Sequence, residues 1–253
     1  MSFRQRVAGL KKGLVIGTAV NNQDFWGISF GRPTAFLLLA VVGDMRIMTP
    51  NRITHISNLL FVTGALLILY QTPAAYIAAA ILINLSLTFD CADGQLARYR
   101  GGGSELGAYY DKVSDYFGLC LLCGVLGWVA TQETGEPYHL LLAICTMTGL
   151  LSTGYIKWVA MAAIYRRGGA TGTAPAATGE ERSMPWWEFA GRVFLKIFRF
   201  AEPDMFFWLA LALLLDKLPW LLWFYAVTQL PVGIAAAIHR AMQMADLDRQ
   251  KIG

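Results

Sequence analysis

The chain has 253 residues, of which 56% are hydrophobic and only 15% are charged, and its formal net charge is +4. Soluble domains carry roughly 25% charged residues, so this composition argues against a soluble globular protein and for an integral membrane protein. The basic residues form no continuous stripe and no nucleic-acid-binding motif is present, so we expect membrane lipids as partners and no nucleic acid.

Residues 1–48 are predicted to form a cytoplasmic and interfacial segment. They lack an apolar core followed by a small-residue cleavage site, so no secretory signal peptide is expected. The apolar stretch at 35–42 is too short to cross a bilayer, and Arg32, Asp44 and Arg46 flank it. This pattern predicts an N-terminal amphipathic helix at the membrane interface.

The remaining apolar segments predict a domain of six transmembrane helices at 49–245, followed by a cytoplasmic tail at 246–253. A spanning helix needs roughly 20 residues. The candidate spans are approximately 53–71, 74–98, 106–131, 138–165, 193–216 and 219–241. The fifth is the weakest, because its purely apolar part covers only 205–215 and Pro203 precedes it. We therefore predict an all-α integral membrane protein.

The basic residues of the connecting segments predict the orientation of the spans. The connections after the first, third and fifth spans contain one basic residue, Lys217. Most others lie in the N-terminal region, the turn at 98–105, the loop at 166–192 and the C-terminal tail. The positive-inside rule then predicts a multi-pass protein with both termini in the cytoplasm.

Four aspartates lie where the second and third predicted spans approach the cytoplasm. In the second span, Asp90 and Asp93 share one helical face at a spacing of three. In the third, Asp111 and Asp115 share a face at a spacing of four. The turn at 101–105 can bring both pairs to one point that is open to the cytoplasm. Ionisable groups at membrane depth are functional candidates, because burying them unpaired is costly.

Carboxylate ligands without nearby His or Cys select hard divalent cations such as Mg²⁺, Mn²⁺ or Ca²⁺. Four aspartates exceed what one Mg²⁺ usually takes from protein, so we expect two ions, which can together bind a pyrophosphate. Gly94 and Ala97 leave room for a flat ligand on the same face, and Arg98 can donate to a phosphate. Asp115 can stand apart and accept a proton from an attacking hydroxyl.

Two other interpretations of the aspartates remain open. They could form internal ion pairs with basic residues such as Lys112, although two local basic residues cannot neutralise four acids. They could also belong to a cation channel or transporter. That function predicts carboxylates spread through the membrane depth, whereas these cluster at one side.

Residues 90–115 resemble the signature of the CDP-alcohol phosphotransferases (CDP-alcohol phosphatidyltransferases), a family of membrane enzymes of phospholipid synthesis. Residues 49–54 also look like the entry to the first span in that family, so the resemblance covers roughly residues 49–120. The fixed positions of the signature are all present: Asp90, Asp93, Gly94, Ala97, Arg98, Gly107, Asp111 and Asp115.

The resemblance implies a function and a role for each matching residue. An acceptor hydroxyl would attack the β-phosphorus of a CDP-activated alcohol, with release of CMP. Asp90, Asp93 and Asp111 would bind two Mg²⁺ or Mn²⁺ ions per subunit, and Asp115 would be the general base and a further ligand. The residues implied to bind the CDP-alcohol are Asn51, Asp93, Gly94, Ala97, Arg98 and Gly107. A homodimer is implied as well, whereas the cytoplasmic side of the active site is predicted from the loop charges.

The default reaction is transfer of phosphatidyl from CDP-diacylglycerol to a small polar alcohol. A soluble donor such as CDP-inositol with inositol phosphate as acceptor stays open, as does transfer of a phospho-base to diacylglycerol. Lys157 and Arg199 are candidate acceptor-binding residues. The alternatives are that Lys157 extends its ammonium to the interface and that Arg199, with Arg192 and Lys196, lies on a basic interfacial helix.

Overall fold

A computed structural model describes residues 24–166 and 202–249 of the chain. The described residues form helices joined by short turns, without a β-strand. In chain order the elements are a π-helical turn (Gly27–Gly31), α1 (Arg32–Val42), α2 (Pro50–Leu67), a 3₁₀ turn (Ile68–Tyr70), α3 (Pro73–Tyr99), α4 (Glu105–Thr134), α5 (Tyr138–Arg166), α6 (Glu202–Leu215) and α7 (Leu218–Arg249).

The described residues fall into two compact units. The first comprises residues 24–125 and 202–218, and the second comprises residues 126–166 and 219–249. All four aspartates singled out above belong to the first unit.

The starts of α2 and α3 follow from local sequence. Each helix begins with a proline in its first turn, where a missing N–H costs no helical hydrogen bond. Each is preceded by a threonine in extended conformation whose hydroxyl accepts a backbone N–H. Thr49 Oγ1 accepts from Arg52 N at 3.3 Å, and Thr72 Oγ1 accepts from Ala75 N at 3.3 Å. These caps fix the residue at which each helix begins.

The turn between α3 and α4 requires glycine. Gly101 has φ 101° and Gly102 has φ 136°, backbone conformations that side chains with a Cβ rarely adopt. The backbone N–H of Gly102 donates to Ala97 O at 2.9 Å and so closes the end of α3. This tight reversal returns the chain as α4 directly beside the helix that carries Asp90 and Asp93.

Hydrophobic packing joins α1, α2 and α3 in the first unit. α1 is apolar on its exposed side as well, since Leu37 and Val41 are more than 60% exposed. The interfacial position predicted for this helix stays a prediction. The buried cluster shared by the three helices consists of Ala35, Leu39, Ile53, Ala92 and Leu96.

In the second unit, α5 and α7 cross with their backbones in contact. A Cβ built on Gly149 of α5 would lie 2.3 Å from Gln229 O of α7, and one on Gly233 would lie 2.9 Å from Gly149 O. Small residues permit such close crossings, which stabilise helix pairs in membranes through dispersion contacts.

Five described helices are long and apolar enough to cross a membrane: α2 with its 3₁₀ extension, α3, α4, α5 and α7. They coincide with the first four predicted spans and the sixth. The predicted fifth span, 193–216, overlaps α6, which has only 14 residues, and its first part lies outside the described residues. The all-α membrane fold is therefore confirmed, whereas the count of six spans, the domain boundaries and the orientation stay predictions.

Candidate active site

Three carboxylates from two adjacent helices converge in the first unit. Asp90 and Asp93 project from α3, and Asp111 projects from the start of α4. One carboxylate oxygen from each of the three lies within 4.8 Å of the other two, and each residue is partly buried. A hard cation binds oxygen at about 2.0–2.6 Å, so these three oxygens are close enough to share one.

Asp115, one turn further along α4, is joined to this group through a lysine. Lys112 Nζ lies 2.8 Å from Asp115 Oδ2 and 2.9 Å from Asp111 Oδ2. Among the described residues, no basic side chain pairs with Asp90 or Asp93. Internal ion pairing therefore accounts for two of the four aspartates and leaves the other two without a cation partner in the described part of the chain.

The larger cavity beside the aspartates has a volume of about 660 Å³. It is bounded by the start of α2, the end of α3 and the turn into α4. All six residues that the sequence predicted to bind the CDP-alcohol line it. The lining includes Asn51, Thr54, Asp93, Gly94, Ala97, Arg98, Gly107 and Asp111.

Two glycines keep this cavity open. A Cβ on Gly94 would lie 3.3 Å from Arg98 Nη1, so the guanidinium lies directly over Gly94. A Cβ on Gly107 would lie 3.1 Å from both Asn51 Oδ1 and Ser104 Oγ. Arg98 is exposed toward the cavity, where its planar fork can donate two hydrogen bonds to a phosphate.

A second, smaller cavity of about 240 Å³ borders the same aspartates. Asp90 and Asp115 line it, together with the polar side chains of Ser57, Asn58 and Lys112. Ser86 and Ser114 also line it, and the rest of its wall is formed by Phe61, Leu87, Gly118, Leu119, Pro203 and Phe206. Asp93 and Asp111 line the larger cavity and Asp90 and Asp115 the smaller. The aspartate group thus borders two cavities, and ligands bound in each can meet at the carboxylates.

Polar residues of α2 complete the site, and the sequence reasoning assigned no role to most of them. Thr54 Oγ1 donates a hydrogen bond to Asp93 Oδ2. Ser57 and Asn58 follow on the same helix and line the smaller cavity. The sequence contained a signal for them, because Asn51, Thr54 and Ser57 recur every three residues, which places them near one side of the helix.

The described structure does not test the two predicted acceptor-binding residues. Lys157 lies on α5 in the second unit and is exposed. Arg199, with Arg192 and Lys196, lies outside the described residues. Their binding roles stay predictions.

The fold and the site define a helical membrane protein in which three aspartate carboxylates lie close enough together to share a divalent cation. Comparison with known families identifies it further. The profile of the CDP-alcohol phosphatidyltransferase family matches residues 47–235, and the chain belongs to this family. The resemblance stated from residues 90–115 is thereby confirmed, and the family is one of transferases of substituted phosphate groups rather than of channels or transporters.

Named relatives share about a third of the aligned residues. The chain is 32% identical over 111 residues to the phosphatidylinositol phosphate synthase of Mycobacterium tuberculosis, covering 44% of this chain and 50% of that protein. It is 32% identical over 133 residues to the synthase of the same name from Corynebacterium glutamicum, covering 51% and 58%. A bifunctional IPC transferase and DIPP synthase of Thermococcus kodakarensis is 32% identical over 108 residues, covering 43% and 23%. The chain spans about half the length of the two synthases.

Proposed function

We propose that this protein is a CDP-alcohol phosphotransferase that transfers phosphatidyl from CDP-diacylglycerol to the hydroxyl of a small polar alcohol, with release of CMP. The main observation that supports the proposal is the group of four aspartates that borders two cavities. The larger cavity is lined by all the residues expected to bind a CDP-alcohol, and the smaller reaches Asp90 and Asp115.

The carboxylates fit divalent metal binding. Three oxygens lie within 4.8 Å of one another, and all donors in the group are carboxylates, which favour Mg²⁺ or Mn²⁺. Asp90, Asp93 and Asp111 would hold two ions per subunit, with Asp115 as a further ligand. When bound, such ions supply positive charge that stabilises the pyrophosphate and the departing CMP.

The protein's own residues would orient both substrates. The cytidine diphosphate would occupy the larger cavity, where Gly94 and Gly107 leave space and Arg98 donates to a phosphate oxygen. The acceptor would enter the smaller cavity, and Asp115 would take the proton of its hydroxyl. The acceptor oxygen would form a bond to the β-phosphorus. The bond from that phosphorus to the bridging oxygen would break, and its electron pair would leave with CMP.

The names of the relatives favour inositol phosphate as the acceptor, because the two synthases are named for the inositol phospholipid that they make. Lys157 and Arg199 are the candidate partners for the acceptor phosphate. A soluble donor such as CDP-inositol and transfer of a phospho-base to diacylglycerol are the alternatives. A homodimer in a membrane, with the site open to the cytoplasm, completes the proposal.

Release of CMP from a panel of substrates tests this function. Purified full-length protein would be incubated with Mg²⁺ or Mn²⁺, with CDP-diacylglycerol or CDP-inositol as donor, and with serine, glycerol phosphate, inositol or inositol phosphate as acceptor. We expect CMP release with CDP-diacylglycerol and inositol phosphate. The control is Asp246→Asn, which removes an exposed carboxylate in the second unit. CMP release with CDP-inositol alone would favour the soluble donor. Absence of CMP release with every combination of donor and acceptor would contradict the proposal.

A further inference from the structure

α3 presents two opposite faces, and only one of them borders the cavities. Asp90, Asp93 and Ala97 project from the cavity face. The opposite face contacts residues 24–45, here called the N-terminal brace. The brace-facing residues recur at spacings of four, four, three and four, as one stripe of an α-helix: Asn84, Thr88, Ala92, Gln95 and Tyr99.

Direct hydrogen bonds run along this second face. Trp26 Nε1 donates to Asn84 Oδ1 at 2.7 Å. The hydroxyls of Thr34 and Thr88 lie 2.9 Å apart. Gln95 Nε2 donates to the backbone carbonyl of Arg32 at 3.3 Å, and Gln95 is only 6% exposed. The brace therefore contacts α3 from Asn84 to its C-terminal end.

The beginning of the brace is held by α6. Asp204 on α6 is fully buried, and its Oδ1 accepts the backbone N–H groups of Phe25 and Trp26, each at 2.7 Å. A carboxylate in this position satisfies donors at the start of a helix and interacts favourably with its dipole. Asp24 and Arg32 form an ion pair at 3.2 Å within the brace itself.

The end of the brace is held by the residues that follow Arg98. Arg100 Nη2 donates to the carbonyl oxygens of Gly43 and Met45, each at 3.0 Å. Tyr99 Oη donates to Asp44 Oδ1 at 3.2 Å. The brace is thus bonded to the same helix before and after its aspartates.

We propose that the N-terminal brace fixes the rotation of α3 about its own axis, so that Asp90 and Asp93 point at Asp111, with Asp204 and Arg100 as positioning residues for the metal site. Apolar side chains pack against lipid as readily as against protein, so polar contacts specify how one helix is rotated against another. Successive side chains of an α-helix point about 100° apart, so rotating α3 by one residue position would turn Asp90 and Asp93 about 100° away from Asp111. Because metal ligands must be held to about 0.5 Å, loss of the contacts at either end should weaken metal binding. This inference rests on the metal-dependent function proposed above.

The test measures Mn²⁺ affinity of the full-length protein in detergent micelles, from the electron paramagnetic resonance signal of free Mn²⁺, together with the melting temperature. The variants are Asp204→Leu and Arg100→Ala, with Asp204→Asn and Arg249→Ala as matched controls. Asn keeps an oxygen that accepts N–H groups without the charge, and Arg249 is an exposed arginine of the second unit.

We expect both test variants to bind Mn²⁺ roughly tenfold more weakly, in line with removal of groups that support metal ligands. Asp204→Asn and Arg249→Ala should bind it like the wild type. The two test variants change the charge of the protein in opposite directions. Loss of the Arg100 cation would by itself strengthen Mn²⁺ binding, so weaker binding in Arg100→Ala would come from the lost contacts with the brace. A purely structural role would lower the melting temperature and leave the affinity of the folded protein unchanged.

Unchanged Mn²⁺ affinity in folded Arg100→Ala and Asp204→Leu would overturn the inference. So would an equal loss in Asp204→Asn and Asp204→Leu, since that would assign the effect to charge alone. If Asp204→Leu does not fold, Arg100→Ala decides by itself. Failure of the wild-type protein to bind Mn²⁺ would overturn the metal-dependent function, and the inference with it.

Discussion

At the scale of single residues, the site is organised around Asp93. This carboxylate lies in the three-aspartate group, lines the larger cavity and accepts a hydrogen bond from Thr54. Lys112 pairs instead with Asp111 and Asp115. The contact of Asp93 with an uncharged hydroxyl leaves its negative charge available to a cation.

Asp93→Asn should raise the Mg²⁺ concentration needed for half-maximal CMP release by roughly tenfold or more, because an amide binds a hard cation less strongly than a carboxylate. The measurement is a Mg²⁺ titration of the initial rate at saturating donor and acceptor. Asp246→Asn supplies the control for a lost surface carboxylate. An unchanged titration curve would count against Asp93 as a ligand.

Thr54→Val should weaken metal binding by roughly tenfold, since it removes the hydroxyl that orients the Asp93 carboxylate without changing the size of the side chain. Thr54→Ser keeps the hydroxyl and should therefore keep most of the metal affinity of the wild-type protein. Mn²⁺ binding to the purified protein is the measurement. Equal affinity in the Val and Ser variants would show that the hydrogen bond is not needed.

Arg199→Ala should raise KM for a phosphorylated acceptor and leave KM for an unphosphorylated acceptor unchanged, because only the former carries the anion that a guanidinium binds. The measurement compares inositol phosphate with inositol at a fixed donor concentration. Arg192 and Lys196 can be replaced in parallel to find which basic residue acts. An equal rise for both acceptors would argue against an anion pocket.

At the scale of elements, the turn between α3 and α4 sets the relation of the two aspartate pairs. Its backbone conformation depends on Gly101 and Gly102, both at positive φ. No side chain lies within 4 Å of a Cβ built on Gly101, so a substitution there tests backbone strain alone.

Gly101→Ala should lower the free energy of unfolding by about 1–3 kcal/mol, the usual cost of a strained backbone conformation. Gly124→Ala is the matched control, because Gly124 lies inside α4 and a Cβ built on it has nothing within 4 Å. Alanine there should stabilise the helix by about 0.5–1 kcal/mol. Thermal unfolding in detergent measures both, and a shift of the same sign in both variants would contradict the role of the turn.

The elements also show what could be predicted from the sequence. The long helices were predictable, because each apolar run is a local property of the chain. The grouping of Asp90, Asp93 and Asp111 was predictable because helical spacing and one short turn determine it. The full extent of the N-terminal helix was not. Its start depends on Asp204, which is about 180 residues away in sequence and bonded to Phe25 and Trp26.

The partners of the aspartates were harder to predict for the same reason. The hydrogen bond from Thr54 to Asp93 joins residues 39 positions apart, and it depends on how α2 packs against α3. The bridge made by Lys112 is local, but its rotamer is chosen by the carboxylates around it. Helical periodicity places side chains on faces, whereas tertiary packing decides which faces meet.

At the scale of the whole molecule, the proposed function requires the aspartate group to be open to the cytoplasm. Six spans with both termini inside would give this orientation, and five described helices meet the length and composition of a span. Reporter fusions at residues 1 and 253 should report the cytoplasm, and a reporter inserted at 71–72 should report the opposite side. Termini on opposite sides of the membrane would contradict the predicted six spans.

The central claim is that the aspartate group catalyses transfer from a CDP-activated alcohol, with Asp115 as the base. The most direct measurement compares CMP release and CDP-diacylglycerol binding in the wild-type protein and in Asp115→Asn, at saturating Mg²⁺ and inositol phosphate. We expect the variant to bind the donor nearly as tightly as the wild type but to release CMP at least about 100-fold more slowly, because it has lost its general base. Wild-type turnover in Asp115→Asn would contradict the claim.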